Sequence, residues 1–198
     1  MLKWLKSLIV AKKKAIFAEV KLNIRIMPVR RGELFAHPLE EALKKNGLGE
    51  VTGAGTQLTG DNEVEYCGID LELYDVDAAV AFVCEFMTRC GAPKGSELSF
   101  EKDGRSVKMS FGKAEGLAIY INGTDLPDEV YKQNDISVVY DEINQLLGKR
   151  GSILDHWDSP RETALYIYGA SADEMRKLIA EYVGKHPLCQ QSRLVQIA

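Results

Sequence analysis

The feature that most restricts the fold of this 198-residue chain is the order in which two apolar periods alternate along it. From Glu19, Leu22, Ile24 and Ile26 share one face while Lys21, Asn23 and Arg25 share the other, which predicts a half-buried strand ended by Pro28. After a basic turn at Arg30-Arg31-Gly32, the spacing of Leu39, Ala42 and Leu43 predicts a helix over 34–45, stopped at Asn46-Gly47. Strands follow at about 49–58 and 63–74, joined by Thr59-Gly60-Asp61-Asn62. In the second of these, Ile69, Leu71 and Leu73 face inward and Asp70, Glu72 and Tyr74 outward. A helix over about 78–90, capped by Asp75, and a strand over 96–101 complete a β-α-β-β-α-β order, the split βαβ arrangement.

The same order is then written again. Strands are expected at 117–121, 152–157, 162–168 and 193–197, with helices at 136–147 and 172–183. The strand Leu71–Tyr74 running into a capped helix and a Pro loop has its counterpart in Leu165–Tyr168, the helix from Ala172 and His186-Pro187. The expectation is an α+β fold of two tandem ferredoxin-like (βαββαβ) units with antiparallel sheets. Their bounds are 19–104 and 117–198, with an extra hairpin strand within 105–116 and an N-terminal basic amphipathic helix over 1–18.

That first segment carries Leu2, Leu5, Ile9 and Ile16 at helical spacing with Lys3, Lys6 and Lys13 alongside, and its longest apolar run stops at Lys12. The run is too short for a signal peptide or a membrane span. The expected role is docking on the protein body or on a second copy, giving a homo-oligomer, with a membrane surface disfavoured. Charge is uneven: residues 1–31 hold nine Lys or Arg against one acid, and the remainder holds 16 against 28. An acidic body repels nucleic acid phosphate and attracts cationic partners. The four cysteines show no CxxC spacing, which fits a reduced, cytoplasmic setting and gives neither a zinc site nor a redox pair.

Motifs for chemistry fail on spacing. The glycines of Thr52–Gly60 lie within a strand and lack the Lys of a phosphate loop, so they mark a bulge. His37, His156 and His186 have no nucleophile or carboxylate partner in a recognised arrangement, and the acids from Asp61 to Asp77 are interrupted at Tyr66–Ile69, unlike a calcium loop. No cofactor, metal or catalytic set is expected. Candidate binding residues are Asp70, Glu72 and Tyr74 on an outer sheet face, with Asp70 and Glu72 facing Lys21 and Arg25. The others are Tyr120, Tyr166 and Tyr168, projecting together from the second sheet, and Trp157 beside His156 and Asp158. Stacking tyrosines on such a sheet occur in RNA-binding domains, and the favoured reading is that these three cover an interface between the two units or between subunits. The RNP1 pattern is absent, however, and residues 116–198 hold eight basic against twelve acidic residues, so nucleic acid is disfavoured.

Arg30-Arg31-Gly32-Glu33-Leu34, Gly53-Ala54-Gly55-Thr56 and Gly91-Ala92-Pro93-Lys94-Gly95-Ser96 resemble segments of uncharacterised bacterial tandem βαββαβ proteins, an immunity-type group. That resemblance implies the fold and supplies no catalytic residue. The expected function is a non-enzymatic protein-binding module, an inhibitor- or immunity-type protein masking a cationic protein such as a nuclease. The alternative is a regulatory module that senses a small molecule bound between its units.

Overall fold

The computed structural model describes residues 15–198, so residues 1–14 of the helix expected over 1–18 lie outside the described residues. The chain is α+β with two antiparallel sheets, of five and four strands. The first sheet contains β1 (Ile16–Leu22), β2 (Gly49–Leu58), β3 (Val64–Leu73), β4 (Ser96–Lys102) and β5 (Arg105–Phe111) in the order β2-β3-β1-β4-β5. The second contains β6 (Glu115–Asn122), β7 (Gly151–Asp158), β8 (Glu162–Gly169) and β9 (Arg193–Gln196) in the order β7-β8-β6-β9. Leaving β5 aside, both sheets place their strands in the same spatial order relative to the chain. β5 folds back on β4 as a hairpin, so the strand between the halves belongs to the first sheet.

β1 begins at Ile16, inside the stretch expected to be helical, because the alternation of Ile16, Ala18, Val20 and Leu22 continues the strand pattern backward. A second correction concerns Pro28 and the expected basic turn. Pro28–Arg31, Gly32–Ala36 and His37–Asn46 run on as one helical segment, α1, entered at Pro28, where a missing N–H costs nothing. Its middle stretch is a π turn. Pro38 has no N–H and its ring would press on the carbonyl four residues back, and the wider turn just before it relieves that conflict. Gly47 ends the helix at φ +62.

The other helices are α2 (Val76–Arg89), α3 (Asp128–Gln133), α4 (Ile136–Leu147) and α5 (Ala172–Lys185). Asp75, Asp135 and Ser171 cap α2, α4 and α5 by accepting backbone N–H groups. α3 has no buried residue, so it has no apolar stripe by which the sequence could announce it. The register of β2 slips between Val51 and Gly53, which places the bulge where the glycines suggested it.

Each sheet buries one face against its helices. Val20, Leu22, Ile69, Leu71 and Leu73 pack with Leu39, Leu43, Val83 and Met87, while Leu117, Ile119, Leu165 and Ile167 pack with Val139, Ile143, Met175 and Ile179. The opposite faces differ. Ala118, Tyr120, Ala164, Tyr166 and Tyr168 on the far face of the second sheet belong to the first core, together with Ile24, Ile26, Phe35 and Cys67. The second sheet is therefore covered on both sides. The first sheet keeps one face open, with Phe17, Glu19, Lys21 and Glu72 exposed.

Candidate ligand-binding cleft between the two sheets

The junction is built around one carboxylate. Glu63 follows the β2–β3 turn, which closes through the Thr59 N–H to the Glu63 carbonyl at 2.8 Å, with Asn62 at φ +61. This turn carries the Glu63 side chain to the second sheet. There Oε1 accepts the Tyr120 hydroxyl at 2.6 Å and the Tyr166 hydroxyl at 2.7 Å, and it pairs with the Arg25 guanidinium. Arg25 Nη1 also donates to the Tyr120 oxygen at 2.7 Å, and the Arg25 backbone N–H donates to the Tyr168 oxygen at 2.8 Å. Outside this knot, Arg193 lies 4.5 Å from the Tyr120 ring centre and grips both oxygens of Glu162 at 3.0 and 2.7 Å.

Burial and the Glu63 hydrogen bond push the Tyr120 phenol up to about 12, and burial with Glu63 raises Tyr166 further. Burial raises Tyr168 as well, against the pull of the Arg25 N–H. Burial works against the Arg25 cation, but Tyr120 and Glu63 beside it outweigh that and move its pKa upward. At neutral pH the knot is thus two phenols and a guanidinium donating to one carboxylate, an arrangement that fastens and orients.

Two expectations for site residues change. Tyr120, Tyr166 and Tyr168 share a face as expected, and at 7%, 1% and 5% exposure they form the interface between the two halves, with no surface left for an outside partner. Asp70 lies opposite Glu19 and Glu72 opposite Phe17, while Lys21 lies opposite Gly68 and Arg25 falls beyond the end of β1, so neither expected pairing forms. Lys21 instead sits over the Tyr66 ring at 4.1 Å, and Arg25 has left the sheet for Glu63. The second change is Tyr74, which donates to Glu50 at 3.1 Å and so is tied to the sheet end. Asp70 and Glu72 do lie on the open face of the first sheet.

Trp157 is partly buried and lines a cleft of about 1080 Å³ at the mouth of the junction. Four chain segments frame it: the Gly60–Asn62 turn, Asn122 to Asp125, Ser159 to Glu162, and Gln191 with Arg193, over a wall formed by Tyr120. Each segment is fastened locally. Asn122 Oδ1 accepts the N–H groups of Thr124 and Asp125, both at 2.9 Å, and Ser159 N–H donates to the Glu162 carbonyl at 2.9 Å. Gln191 is held at φ +60, a conformation rare outside glycine. Arg161 is exposed and makes no ion pair among the described residues. Sequence reasoning missed Arg25, Glu63, Arg161, Arg193 and Gln191. Glu63 was one acid among seven, and nothing local marked it as the one that crosses between sheets.

Among the described residues no three His, Cys, Asp or Glu side chains group closely enough to hold a metal ion. Nor is any described helix long and apolar enough to cross a membrane. No family model matches the sequence, and no curated protein matches it. Solved structures give only weak resemblances. TiaS in complex with a tRNA, AMPCPP and agmatine is 13% identical over 83% of this chain, with a TM-score of 0.34, and this chain spans 56% of it. A protein from Bacteroides thetaiotaomicron is 11% identical, covering 92% of each chain at a TM-score of 0.26. The first two RRM domains of the yeast poly(U) binding protein Pub1 are 11% identical, covering 91% of this chain and 99% of theirs at 0.25.

Proposed function

We propose that the chain is a tandem of two ferredoxin-like units that binds a small molecule in the cleft where they meet, as a non-catalytic cytoplasmic regulatory module. The observation that carries this reading is the position of the 1080 Å³ cleft, which draws its walls from both units and sits on the Arg25–Glu63 knot that joins them. A ligand there touches both units at once and so acts on their junction. Trp157 and Tyr120 offer aromatic surface, and the unpaired Arg161 offers a cation. The class they suit is a small molecule with a planar ring and an anionic group.

The test is a thermal-shift screen of anionic, ring-bearing metabolites, read together with Trp157 fluorescence. A ligand at 100 times its Kd adds about 2.7 kcal/mol, which moves the midpoint of a chain this size by roughly 5–10 °C. Arg161→Gln should weaken the hit while leaving the unliganded midpoint in place. A screen without shifts, or hits indifferent to Arg161 and Trp157, refutes the reading. A second reading keeps the immunity-type role of masking a cationic protein, and the open acidic face bearing Asp70 and Glu72 favours it. Its test is association kinetics with a partner captured from the host: neutralising both acids should slow binding, and salt should slow it further.

A further inference from the structure

The helices of the second unit expose apolar side chains where their counterparts in the first do not. α4 and α5 pack on the face of the second sheet that points away from the first half, burying Val139, Ile143, Met175 and Ile179. On their outer side Val138, Leu146 and Leu178 are 50%, 40% and 38% exposed, whereas α2 carries no exposed large apolar residue and α1 only Val29 near its start. A surface helix with its apolar stripe against the core ordinarily keeps polar residues on the other side, so the departure is specific to this unit. Leu146 and Leu178, with Tyr182 and Pro187, line a groove of about 470 Å³ between the two helices.

The charges beside these side chains are sorted by helix. Asp141 and Glu142 stand exposed on α4 between Val138 and Leu146, and among the described residues no cation pairs with either. On α5, Lys177 is exposed and makes no ion pair among the described residues, while Lys185 holds Glu181 at 2.7 Å in an exposed one-turn pair. Such a pair contributes little and is readily exchanged. Glu142 and Lys185 both line the groove. A partner of one sign does not suit this face, because an acidic one meets Asp141 and Glu142 and a basic one meets Lys177 and Lys185. The face does suit itself. A two-fold axis that lays α4 of one copy over α5 of the other brings acid to base twice and buries both apolar stripes, since an isologous contact makes every pairing in duplicate.

We propose that α4 and α5 form the contact face of a symmetric dimer of this chain, with Val138, Leu146 and Leu178 at its middle and Glu142 of each copy against Lys185 of the other. The helices have 12 and 14 residues, about 18 and 21 Å in length. An interface built on them falls at the small end of the specific range, so association is reversible and depends on concentration. The contact shares no residue with the cleft or with the open acidic face of the first sheet, and the inference is independent of both.

Sedimentation equilibrium of the full chain over a concentration series tests this, with far-UV circular dichroism showing that each variant keeps its fold. The parent should follow a monomer–dimer equilibrium. Leu178→Glu, at an exposed position, should weaken that equilibrium by roughly ten-fold or more. Glu142→Lys and Lys185→Glu should each weaken self-association by roughly ten-fold, because each sets like charges across the contact twice. Mixed with one another, these two variants should associate as the parent does, since a two-fold contact between them restores an acid–base pair at both places. A parent that stays monomeric at every concentration overturns the proposal. So does a dimer indifferent to Leu178→Glu and to both charge reversals, which places the contact on another surface, and so do reversals that weaken association without recovery on mixing.

Discussion

Glu63→Ala is the sharpest test of how the two halves are held. The carboxylate accepts two phenols at 2.6 and 2.7 Å, and Tyr166, one of those donors, is 1% exposed. Hydrogen bonds to a charged acceptor contribute about 1.5–3 kcal/mol each. Breaking a fully buried pair costs about 3–5 kcal/mol, but the Arg25 side chain is 25% exposed, so water recovers part of its loss. The expected cost of Glu63→Ala is therefore about 3–5 kcal/mol in total, while Tyr166→Phe, which removes one donor and strands nothing, should cost about 1–2 kcal/mol. The double variant Arg25→Met/Glu63→Leu should cost clearly less than the sum of its single changes, since the two groups share one network. Urea unfolding followed by far-UV circular dichroism and by tryptophan fluorescence reads the parent, Glu63→Ala, Tyr166→Phe, the double variant and its two single changes. If the junction is the first thing lost in Glu63→Ala, the fluorescence transition precedes the dichroism transition, whereas the two coincide in the parent. A Glu63→Ala cost below about 1 kcal/mol, or strictly additive single changes, refutes the assignment of Glu63 as the fastening group.

Further expectations concern pH and backbone. Folding raises the Tyr120 pKa from 10 to about 12, so its contribution is fully present below pH 10 and is lost as pH rises through about 12; it amounts to roughly 3 kcal/mol. Tyr120→Phe should flatten that part of the alkaline stability profile. Glu115 is held below its usual pKa by Lys94 and by the Ala172 N–H, so its contribution is present above the ordinary carboxylate range and fades as pH falls through the lowered value; Glu115→Gln should remove that acid dependence. Gly112 stands at φ +91, and a Cβ there would lie 2.0 Å from the Pro93 carbonyl oxygen. Gly112→Ala should thus cost roughly 2–4 kcal/mol, seen as a lower urea midpoint at an unchanged slope. Arg31 is 8% exposed, donates to the Gly55 carbonyl at 2.6 Å and leaves Nε without a partner among the described residues. Arg31→Met should change stability by less than about 1.5 kcal/mol because no carboxylate repays the buried cation; a loss above about 3 kcal/mol on urea unfolding would contradict this.

Periodicity carried the architecture because both faces of the argument are local. Leu22, Ile69, Leu165 and Ile167 stand in register with their own strand neighbours, and each ends up in the core expected of it. Pro28 misled because the residue that closes a strand pattern also opens a helix well, and only the following π turn shows how Pro38 is tolerated. Register was illegible for a different reason. Asp70 and Lys21 alternate correctly on their own strands, but which residues meet depends on turn length and the β2 bulge, and those settle only in three dimensions. The cleft was harder still, since its walls come from four segments spread from Gly60 to Arg193 and none carries a motif of its own.

The tyrosines show why the same pattern supported opposite uses. Three tyrosines on one sheet face serve either as a platform for an outside ligand or as the inner side of a junction, and their spacing on β6 and β8 is identical in both cases. What decides is whether their hydroxyls find partners from the same chain. Here Tyr120 and Tyr166 end on Glu63 and Tyr168 on the Arg25 N–H, all supplied by the first half. Freeing that face would strand a carboxylate, a guanidinium and three phenols at once, so the two halves move as one body under any ligand that leaves the knot intact. A molecule entering the cleft acts on this body at its seam, through Tyr120 and Arg193. That makes a shift in unfolding cooperativity a more direct sign of binding there than any change confined to one sheet.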